Sequence, residues 1–285
     1  MPCPVFSYQH AYHAGSAADL HKHVVLAALL APLAGQGALY VESHAGRGLY
    51  DLSGVEAAKT GEAEAGLGRL KSALPEGPPE GPFWDVLLRL AGRDGGAAYP
   101  GSPAVAASLL AQGDRLLLHE RHPAEFKALS RARRQLGVRR RGAQGPVGAQ
   151  GPVIEIRDRD GHEGLRTLRP GRRCGLALID PSYEVKSEYD ETARTAAALA
   201  VSWSAGIVLV WYPILLAPRH EAMVGALQLA APGPLIRHEV AFCEPPARGM
   251  QGSGLLCLGL PASAPGVIEA AVAPCAPVFR TVLAG

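Results

Sequence analysis

The sequence predicts an α/β protein built on a doubly wound sheet of seven strands, with a small helical insertion. Three observations favour this fold class. Short apolar segments alternate with helical stretches from residue 38 to residue 217, as in successive βαβ units. The segment 176–179 is apolar throughout and ends at Asp180-Pro181, which is typical of a parallel strand covered on both faces. Two later apolar segments, 237–243 and 253–260, predict a closing antiparallel pair.

Composition restricts the functional classes. With 285 residues and 48% hydrophobic content, the chain is long enough for one domain plus an insertion. A net charge of +2 does not by itself indicate a polyanion partner. The 5 cysteines form no Cys-x-x-Cys pair, which indicates reduced thiols and argues against a zinc cluster. With no basic-then-apolar leader and no bilayer-length apolar run, we expect a soluble, cytoplasmic protein without a membrane or metal partner.

The first element is a helix that Asp19 caps or begins and that runs through the apolar segment 24–33. Histidines, tyrosines and a lysine crowd residues 6–23 just before it and in its early turns. Crowded polar aromatic side chains are typical of a site, which makes Lys22 and His23 candidates. A solvated helix start is the alternative interpretation for the histidines.

The first strand, 38–42, ends in an acid and is followed by Ser-His-Ala-Gly-Arg-Gly at 43–48. Its glycines lie where a backbone must approach a ligand closely. The loop lacks both Gly-x-Gly-x-x-Gly and Gly-Lys-Ser/Thr, so a dinucleotide or nucleoside triphosphate site is disfavoured. A methyltransferase cofactor loop fits the pattern better.

Residues 52–99 change in character and predict an inserted helical subdomain, which leaves 1–51 and 100–285 as the main domain. Strand 115–119 then ends at Glu120, where an acid commonly accepts hydrogen bonds from ribose hydroxyls. Strand 153–156 is followed by Asp160-Gly161, which places a second acid at the same edge of the sheet.

An arginine-rich stretch lies near the end of the helix that starts at His122-Pro123 and runs through Gln135. Its members are Arg131, Arg133, Arg134, Arg139, Arg140 and Arg141. They could bind RNA phosphates, and a solvated helix face is the alternative interpretation. Residues 142–153 then repeat Gly-Ala-Gln-Gly-Pro-Val, which predicts a flexible loop.

The loop Asp180-Pro181-Ser182-Tyr183 resembles the Asp-Pro-Pro-Tyr signature of S-adenosylmethionine-dependent amino methyltransferases. An aryl amine is a weak nucleophile, so its two N–H groups need acceptors that orient the nitrogen toward the methyl sulfonium. In this interpretation the Asp180 carboxylate and the Pro181 carbonyl are those acceptors, and Tyr183 stacks on a flipped base. A turn with a structural aspartate cap is the alternative for these four residues alone.

Together with motifs along nearly the whole chain, this loop resembles the RlmJ family of bacterial methyltransferases, which methylate N6 of one adenine in 23S ribosomal RNA. The motifs are Ser-Tyr-Gln-His-Ala-Tyr-His-Ala-Gly at 7–15, Ser-His-Ala-Gly-Arg-Gly at 43–48, Tyr-Pro-Gly-Ser-Pro at 99–103, Ile-Asp-Pro-Ser-Tyr at 179–183 and Leu-Val-Trp-Tyr-Pro at 209–213. The resemblance implies a Rossmann-like class I fold and direct methyl transfer after base flipping. It also implies a monomer that acts on free or precursor 23S ribosomal RNA.

The resemblance also implies a role for individual residues. Asp180 would be the catalytic acceptor, Pro181 and Tyr183 would hold the flipped adenine, and Tyr8 would meet the RNA. The residues around S-adenosylmethionine would be Lys22, His23, His44, Ser102, Glu120, Asp160, Gly161 and Asp180.

The chain departs from the family pattern at three places. Ser182 replaces the second proline, Gln9 replaces an arginine of the opening motif, and the repeat at 142–153 is an insertion. The departures at Ser182 and Gln9 keep open a non-catalytic RNA-binding protein with the same fold. An amino methyltransferase acting on DNA adenine or a protein amide is a further alternative, although DNA is disfavoured because the chain has no separate target-recognition domain.

Overall fold

The computed structural model describes residues 13–54, 59–91, 97–136, 151–260 and 264–284. Two small strands, β2 (Leu49–Asp51) and β3 (Ala98–Pro100), pair with each other. The strands of the main sheet are β1 (Leu39–Glu42), β4 (Arg115–His119), β5 (Val153–Arg157), β6 (Gly175–Ile179), β7 (Gly206–Leu215), β8 (Leu235–Phe242), β9 (Met250–Leu258) and β10 (Phe279–Ala284). Their order in this eight-stranded sheet is β10-β8-β9-β7-β6-β1-β4-β5.

Helices cover both faces of the sheet. They are α1 (Ala17–Leu30), α2 (Arg69–Ala73), α3 (Pro82–Ala91), α4 (Ser102–Leu109), α5 (Pro123–Leu136), α6 (Gly161–Arg166), α7 (Ser187–Ser202), α8 (His220–Ala230) and α9 (Ala264–Val272). The crossovers through α4 and α5 lead outward from β1, and those through α6 and α7 lead in the opposite direction. Because such crossovers are right-handed, the two pairs of helices lie on opposite faces.

The switch point of the sheet lies between β1 and β6. From β1 the chain winds outward to β4 and β5, then returns to β6 on the other side of β1. All five residues of β6 and all four of β1 are buried, as expected for central parallel strands. Ligands bind outside the carboxyl ends of the strands at such a point, which here are Glu42 and Ile179.

The predicted fold class is confirmed, with two differences in detail. The sheet has eight strands rather than seven, because β10 adds to the antiparallel edge beside β8. A register shift between Thr281 and Leu283 interrupts this short edge strand. The strand therefore lacks the regular alternation of apolar and polar residues by which it could have been predicted. The first helix begins at Ala17 instead of Asp19, because Ser16 caps it and accepts a hydrogen bond from the Asp19 N–H.

The predicted insertion contains a π-helical turn (Glu64–Gly68), α2 and α3, between the paired strands β2 and β3. It packs against α1, and the Leu67 N–H donates to the Gly15 carbonyl at 3.0 Å. Phe83 on α3 is buried in the common core. Whether this segment forms a separate subdomain stays a prediction.

Some of the sequence predictions concern residues outside the described ranges. These are Tyr8, Gln9, the arginines at 139–141 and positions 142–150 of the repeat. Among the residues that the structure describes, no helix is both long enough and apolar enough to cross a membrane. Four cysteines in the same part of the chain, Cys174, Cys243, Cys257 and Cys275, are free.

Candidate active site

A buried ion cluster joins α1 to the loop after β6. The Lys22 Nζ lies 2.6 Å from Asp180 Oδ2 and 3.1 Å from Asp19 Oδ1. Only 3% of the Lys22 surface is exposed. A charge removed from water this completely needs paired partners, and here two carboxylates share one cation. The cluster therefore fixes Asp180 at the switch point.

Trp211, in the carboxyl half of β7, forms the wall beside this cluster. Its ring centroid lies 5.5 Å from the Lys22 Nζ, within the range of a cation–π contact. Its backbone carbonyl accepts the Tyr183 hydroxyl at 2.7 Å. Trp211 occurs in one of the sequence motifs, but nothing in the sequence indicated that it belongs to the site.

The Asp-Pro-Ser-Tyr loop holds its tyrosine in a strained conformation. Tyr183 has a φ angle of 56°, and a bulky residue in the left-handed region costs free energy that the surrounding contacts must offset. Its ring centroid lies 4.4 Å from that of Tyr189. Because Tyr183 is only 5% exposed, little of its ring is open to a flipped base, and its stacking role stays a prediction.

Ser182 contributes hydrogen bonds to this loop where the signature has a second proline. Its hydroxyl lies 3.4 Å from Glu188 Oε2 and accepts the Glu184 N–H at 3.4 Å. These two long bonds restrain the loop in place of the missing ring. Pro181, beside it, is buried.

Ser43 connects the loop after β1 to the Asp-Pro-Ser-Tyr loop. Its N–H donates to the Leu178 carbonyl at 3.1 Å, and its Oγ accepts the Asp180 N–H at 3.2 Å. A Cβ placed on Gly161 would lie 1.9 Å from the Ser43 carbonyl oxygen, closer than any side chain tolerates. Only glycine therefore lets the start of α6 approach this loop.

Glu42, the last residue of β1, lies beside these groups but was not among the candidate site residues predicted from the sequence. It is fully buried, and it accepts hydrogen bonds from the Tyr40 hydroxyl at 2.9 Å and from the Ser102 hydroxyl. Burial raises the pKa of Glu42 to about 8, and the nearby Asp180 charge acts in the same direction. The carboxyl group is therefore mainly protonated at neutral pH, and in that state one of the two hydroxyls accepts the carboxyl proton instead of donating. The sequence did contain a signal for this residue, because Glu42 is an acid at the end of a predicted strand.

Glu120 and Asp160 provide acceptors at the outer part of the same edge. Glu120 accepts the Gly46 and His122 N–H groups, each at 2.7 Å, and burial raises its pKa. Asp160 caps α6 by accepting the Glu163 N–H at 2.9 Å. Burial acts to raise the pKa of Asp160, but that hydrogen bond and the nearby charge of Arg121 hold it below its ordinary value.

The two candidate histidines differ in their surroundings. His44 is half-buried, and burial followed by the effect of His162 lowers its pKa to about 3, so its ring is neutral. Its Nδ1 lies 2.8 Å from the Ser43 hydroxyl. His23 is buried, and its Nδ1 lies 2.9 Å from the Tyr99 hydroxyl beside the insertion. Contact of either ring with a cofactor stays a prediction.

A buried hydrogen-bond chain connects Trp211 to Glu269 near the surface. The Trp211 indole donates to Ser253 Oγ at 2.9 Å, and that hydroxyl lies 2.8 Å from His21 Nδ1. His21 Nε2 lies 2.9 Å from His238 Nδ1, and His238 Nε2 lies 3.1 Å from Glu269 Oε1. An indole only donates and a carboxylate only accepts, so every intervening proton has one possible position. Burial lowers the pKa of both histidines, which agrees with two neutral rings.

Within the described ranges, one further cluster, on the antiparallel side of the sheet, has spacing compatible with a metal ion. It consists of His220, Glu221 and Glu239. The Arg237 guanidinium already donates to both carboxylates at 2.6 Å. The positive charge of Arg237 already compensates the two carboxylates, so we interpret this cluster as an ion-pair network.

These groups suit S-adenosylmethionine. The Glu120 and Asp160 oxygens retain lone pairs that could accept further hydrogen bonds from hydroxyl or amine groups, and Gly161 adds no side chain beside Ser43. On a doubly wound sheet, this arrangement defines a class I S-adenosylmethionine-dependent methyltransferase.

Comparisons with known proteins agree with this class. A family model described as "Ribosomal RNA large subunit methyltransferase D, RlmJ" matches residues 35–284. Two proteins named ribosomal RNA large subunit methyltransferase J are similar, at 32% identity in Haemophilus influenzae and 31% in Escherichia coli, each alignment covering 90% of this chain and 88% of the relative. A Legionella pneumophila crystal structure has a TM-score of 0.78 at 28% identity and covers 96% of this chain and 98% of its own. The chain belongs to the RlmJ family.

Proposed function

We propose that this protein transfers the methyl group of S-adenosylmethionine to N6 of one adenine in 23S ribosomal RNA. The observation that carries the proposal is the position of Asp180. It lies at the switch point, its carboxylate is held by Lys22 at 2.6 Å, and its N–H is held by Ser43 at 3.2 Å. Both named relatives are ribosomal RNA large subunit methyltransferases, which supports RNA as the substrate.

The cofactor supplies an electrophilic methyl group on a sulfonium, so the protein's task is orientation. Lys22 occupies one oxygen of Asp180, which leaves acceptor positions on the carboxylate for an N–H of the adenine amine. The Pro181 carbonyl accepts the second N–H in this proposal. Two acceptors fix the plane of the amine and therefore the direction of its lone pair.

We assign the remaining predicted residues by the chemistry that they offer. Glu120 accepts hydrogen bonds from the ribose hydroxyls of the cofactor, and Asp160 accepts one from its adenine amine. The backbone of Gly161 can approach the cofactor closely because this residue has no side chain. The other cofactor contacts are Lys22, His23, His44 and Ser102. Tyr8 meets the RNA, and Tyr183 contacts the flipped base after a local change that uncovers its ring.

The finer details follow from the same reasoning. A sulfonium needs no metal to become electrophilic, so we propose a reaction without one. We also propose that the enzyme acts as a monomer in the cytoplasm, on free or precursor 23S ribosomal RNA. The target adenine must leave its helix to reach Asp180, and unpaired or incompletely assembled RNA lowers the free energy of that step.

The test is mass spectrometry of 23S ribosomal RNA from cells with and without this protein, followed by remethylation of the deficient RNA in vitro. We expect loss and restoration of one N6-methyladenine. An unchanged RNA would refute the proposed substrate, and methyl transfer to DNA or to protein in parallel assays would replace it. RNA binding without turnover would favour the non-catalytic alternative.

A matched pair of variants tests the role of Asp180. Asp180→Asn keeps the shape but replaces one acceptor oxygen with a donor, so we expect turnover to fall by about 100-fold to 1000-fold while cofactor binding persists. Asp190→Asn makes the same change on the exposed side of α7 and should retain full activity. Full activity in Asp180→Asn would remove Asp180 from the mechanism.

A further inference from the structure

The outer face of α5 has a stripe of positive charge. Lys127, Arg131 and Arg134 recur at intervals of four and three residues, so they project from one side of the helix. All three are exposed. With Phe126 and Ser130 they line a shallow groove of about 540 Å³. Over the 7 residues between Lys127 and Arg134 the helix rises about 10 Å, enough to face more than one phosphate of a strand.

These three cations form no ion pair with any acid in the described part of the chain, unlike many arginines elsewhere. Arg157 pairs with Glu155 at 2.7 Å, and Arg159 pairs with Glu163 at 2.7 Å. On α5 itself, the buried Glu125 is already bound by Arg47 at 2.7 Å. The charge of the stripe is therefore not compensated locally, and it creates a positive potential over the groove.

Stabilisation of the helix explains only part of this pattern. Cations in the last turn interact favourably with the helix dipole, which accounts for Arg134. Lys127 lies in the first half of α5, where the dipole gives it no such advantage. A solvated face also does not require the cations to share one side with the half-buried ring of Phe126.

The stripe is rigidly connected to the cofactor edge. Helix α5 begins three residues after Glu120. It is tied to the cofactor loop by Arg47, whose Nε and Nη2 donate to Glu125 at 2.9 Å and 2.7 Å. Leu129 packs against Gly48 of the same loop, where an added Cβ would lie 2.9 Å away from it. RNA bound along α5 would thus have a fixed position relative to the active site.

We propose that Lys127, Arg131 and Arg134 form a docking stripe for the phosphate backbone of the RNA substrate. Phe126 supplies the apolar floor of the groove, and the stripe holds RNA outside the catalytic crevice. The contact is made to phosphates, so it adds affinity without reading sequence. This proposal rests on the proposed function, because it takes ribosomal RNA as the ligand.

The experiment compares the full chain with a stripe variant, Lys127→Gln/Arg131→Gln/Arg134→Gln. The control, Arg169→Gln/Arg172→Gln/Arg173→Gln, removes the same charge from the exposed loop before β6, at the opposite end of the strands. Binding of a 23S ribosomal RNA transcript is measured over a range of KCl concentrations, together with methyl incorporation and S-adenosylmethionine binding by calorimetry.

We expect the stripe variant to bind RNA more weakly. The negative slope of log affinity against log salt should become shallower by about 2, because three phosphate contacts are lost. Its cofactor affinity should equal that of the wild type, and the control should keep the wild-type slope. An unchanged stripe variant, or equal losses in both variants, would overturn the stripe while leaving methylation by the wild type intact. A wild-type chain that neither binds nor methylates RNA would instead overturn the proposed function, and this proposal with it.

Discussion

Glu42 makes the stability of this protein depend on pH in a direction that can be worked out. The pKa of its carboxyl group is 4.5 in an ordinary environment and about 8 in the folded chain, where burial is the main cause. Between these values the unfolded chain has released the proton and the folded chain retains it. The contribution of Glu42 is therefore complete below pH 4.5 and is lost as the pH rises through about 8.

The magnitude follows from the same two values. Each pH unit inside this window lowers the free energy of unfolding by about 1.4 kcal/mol. Between pH 5 and pH 7.5, the loss amounts to about 3 kcal/mol. Glu42→Gln does not titrate. Its amide oxygen can accept from one of the Tyr40 and Ser102 hydroxyls, and its NH2 group can donate to the other. We expect its stability to be less dependent on pH by this amount.

The assay is urea unfolding of both proteins without cofactor at several pH values from 5 to 7.5. Circular dichroism and tryptophan fluorescence monitor the unfolding. The wild-type stability relative to Glu42→Gln should fall steadily across the range. Glu80→Gln, which removes an exposed acid, is the control, and its free energy of unfolding should depend on pH in the same way as that of the wild type. If the free energies of unfolding of the wild type and Glu42→Gln have the same pH dependence, the Glu42 carboxyl group is already ionised in the folded chain and the reasoning is wrong.

Three other substitutions test separate features of the site. Gly161→Ala places a Cβ against the Ser43 carbonyl, so calorimetry should show loss of S-adenosylmethionine binding, whereas Gly225→Ala in α8 meets nothing within 4 Å and should retain it. Lys22→Met leaves two buried carboxylates without their shared cation and should lower the free energy of unfolding by about 3–5 kcal/mol in urea, and an unchanged midpoint would contradict the ion cluster. Ser253→Ala leaves the indole N–H of Trp211 without its acceptor and should cost about 1–3 kcal/mol and alter tryptophan fluorescence, and an unchanged spectrum would contradict that hydrogen bond.

The sequence predicted those parts of the fold that rest on local pattern. An apolar run cut by Pro181 located β6, and strand-ending acids located the edge where Glu120 and Asp160 lie. The edge strand β10 went unpredicted because its pairing depends on β8, and no periodic pattern records a partner far along the chain.

The site shows the same division between local and long-range information. Local pattern and resemblance supplied Lys22 and Asp180 as separate candidates. Their direct pairing joins positions 158 residues apart and is a property of the tertiary structure. The protonation of Glu42 likewise depends on burial by neighbours that no local motif reveals. Tyr183 was expected to face a base, and the structure buries it because its hydroxyl and ring both find partners inside.

Ser43 gives the two substrates a means of communication. Its backbone lies against the start of α6 at Gly161, while its hydroxyl holds the Asp180 N–H. If S-adenosylmethionine contacts the loop at 43–48, as we propose, a shift of that loop on binding would also move the Asp180 carboxylate. Such coupling is reciprocal, so RNA that engages Asp180 would then alter the affinity for S-adenosylmethionine by the same factor. The hydroxyl of one serine would thus set the cooperativity between methyl donor and acceptor.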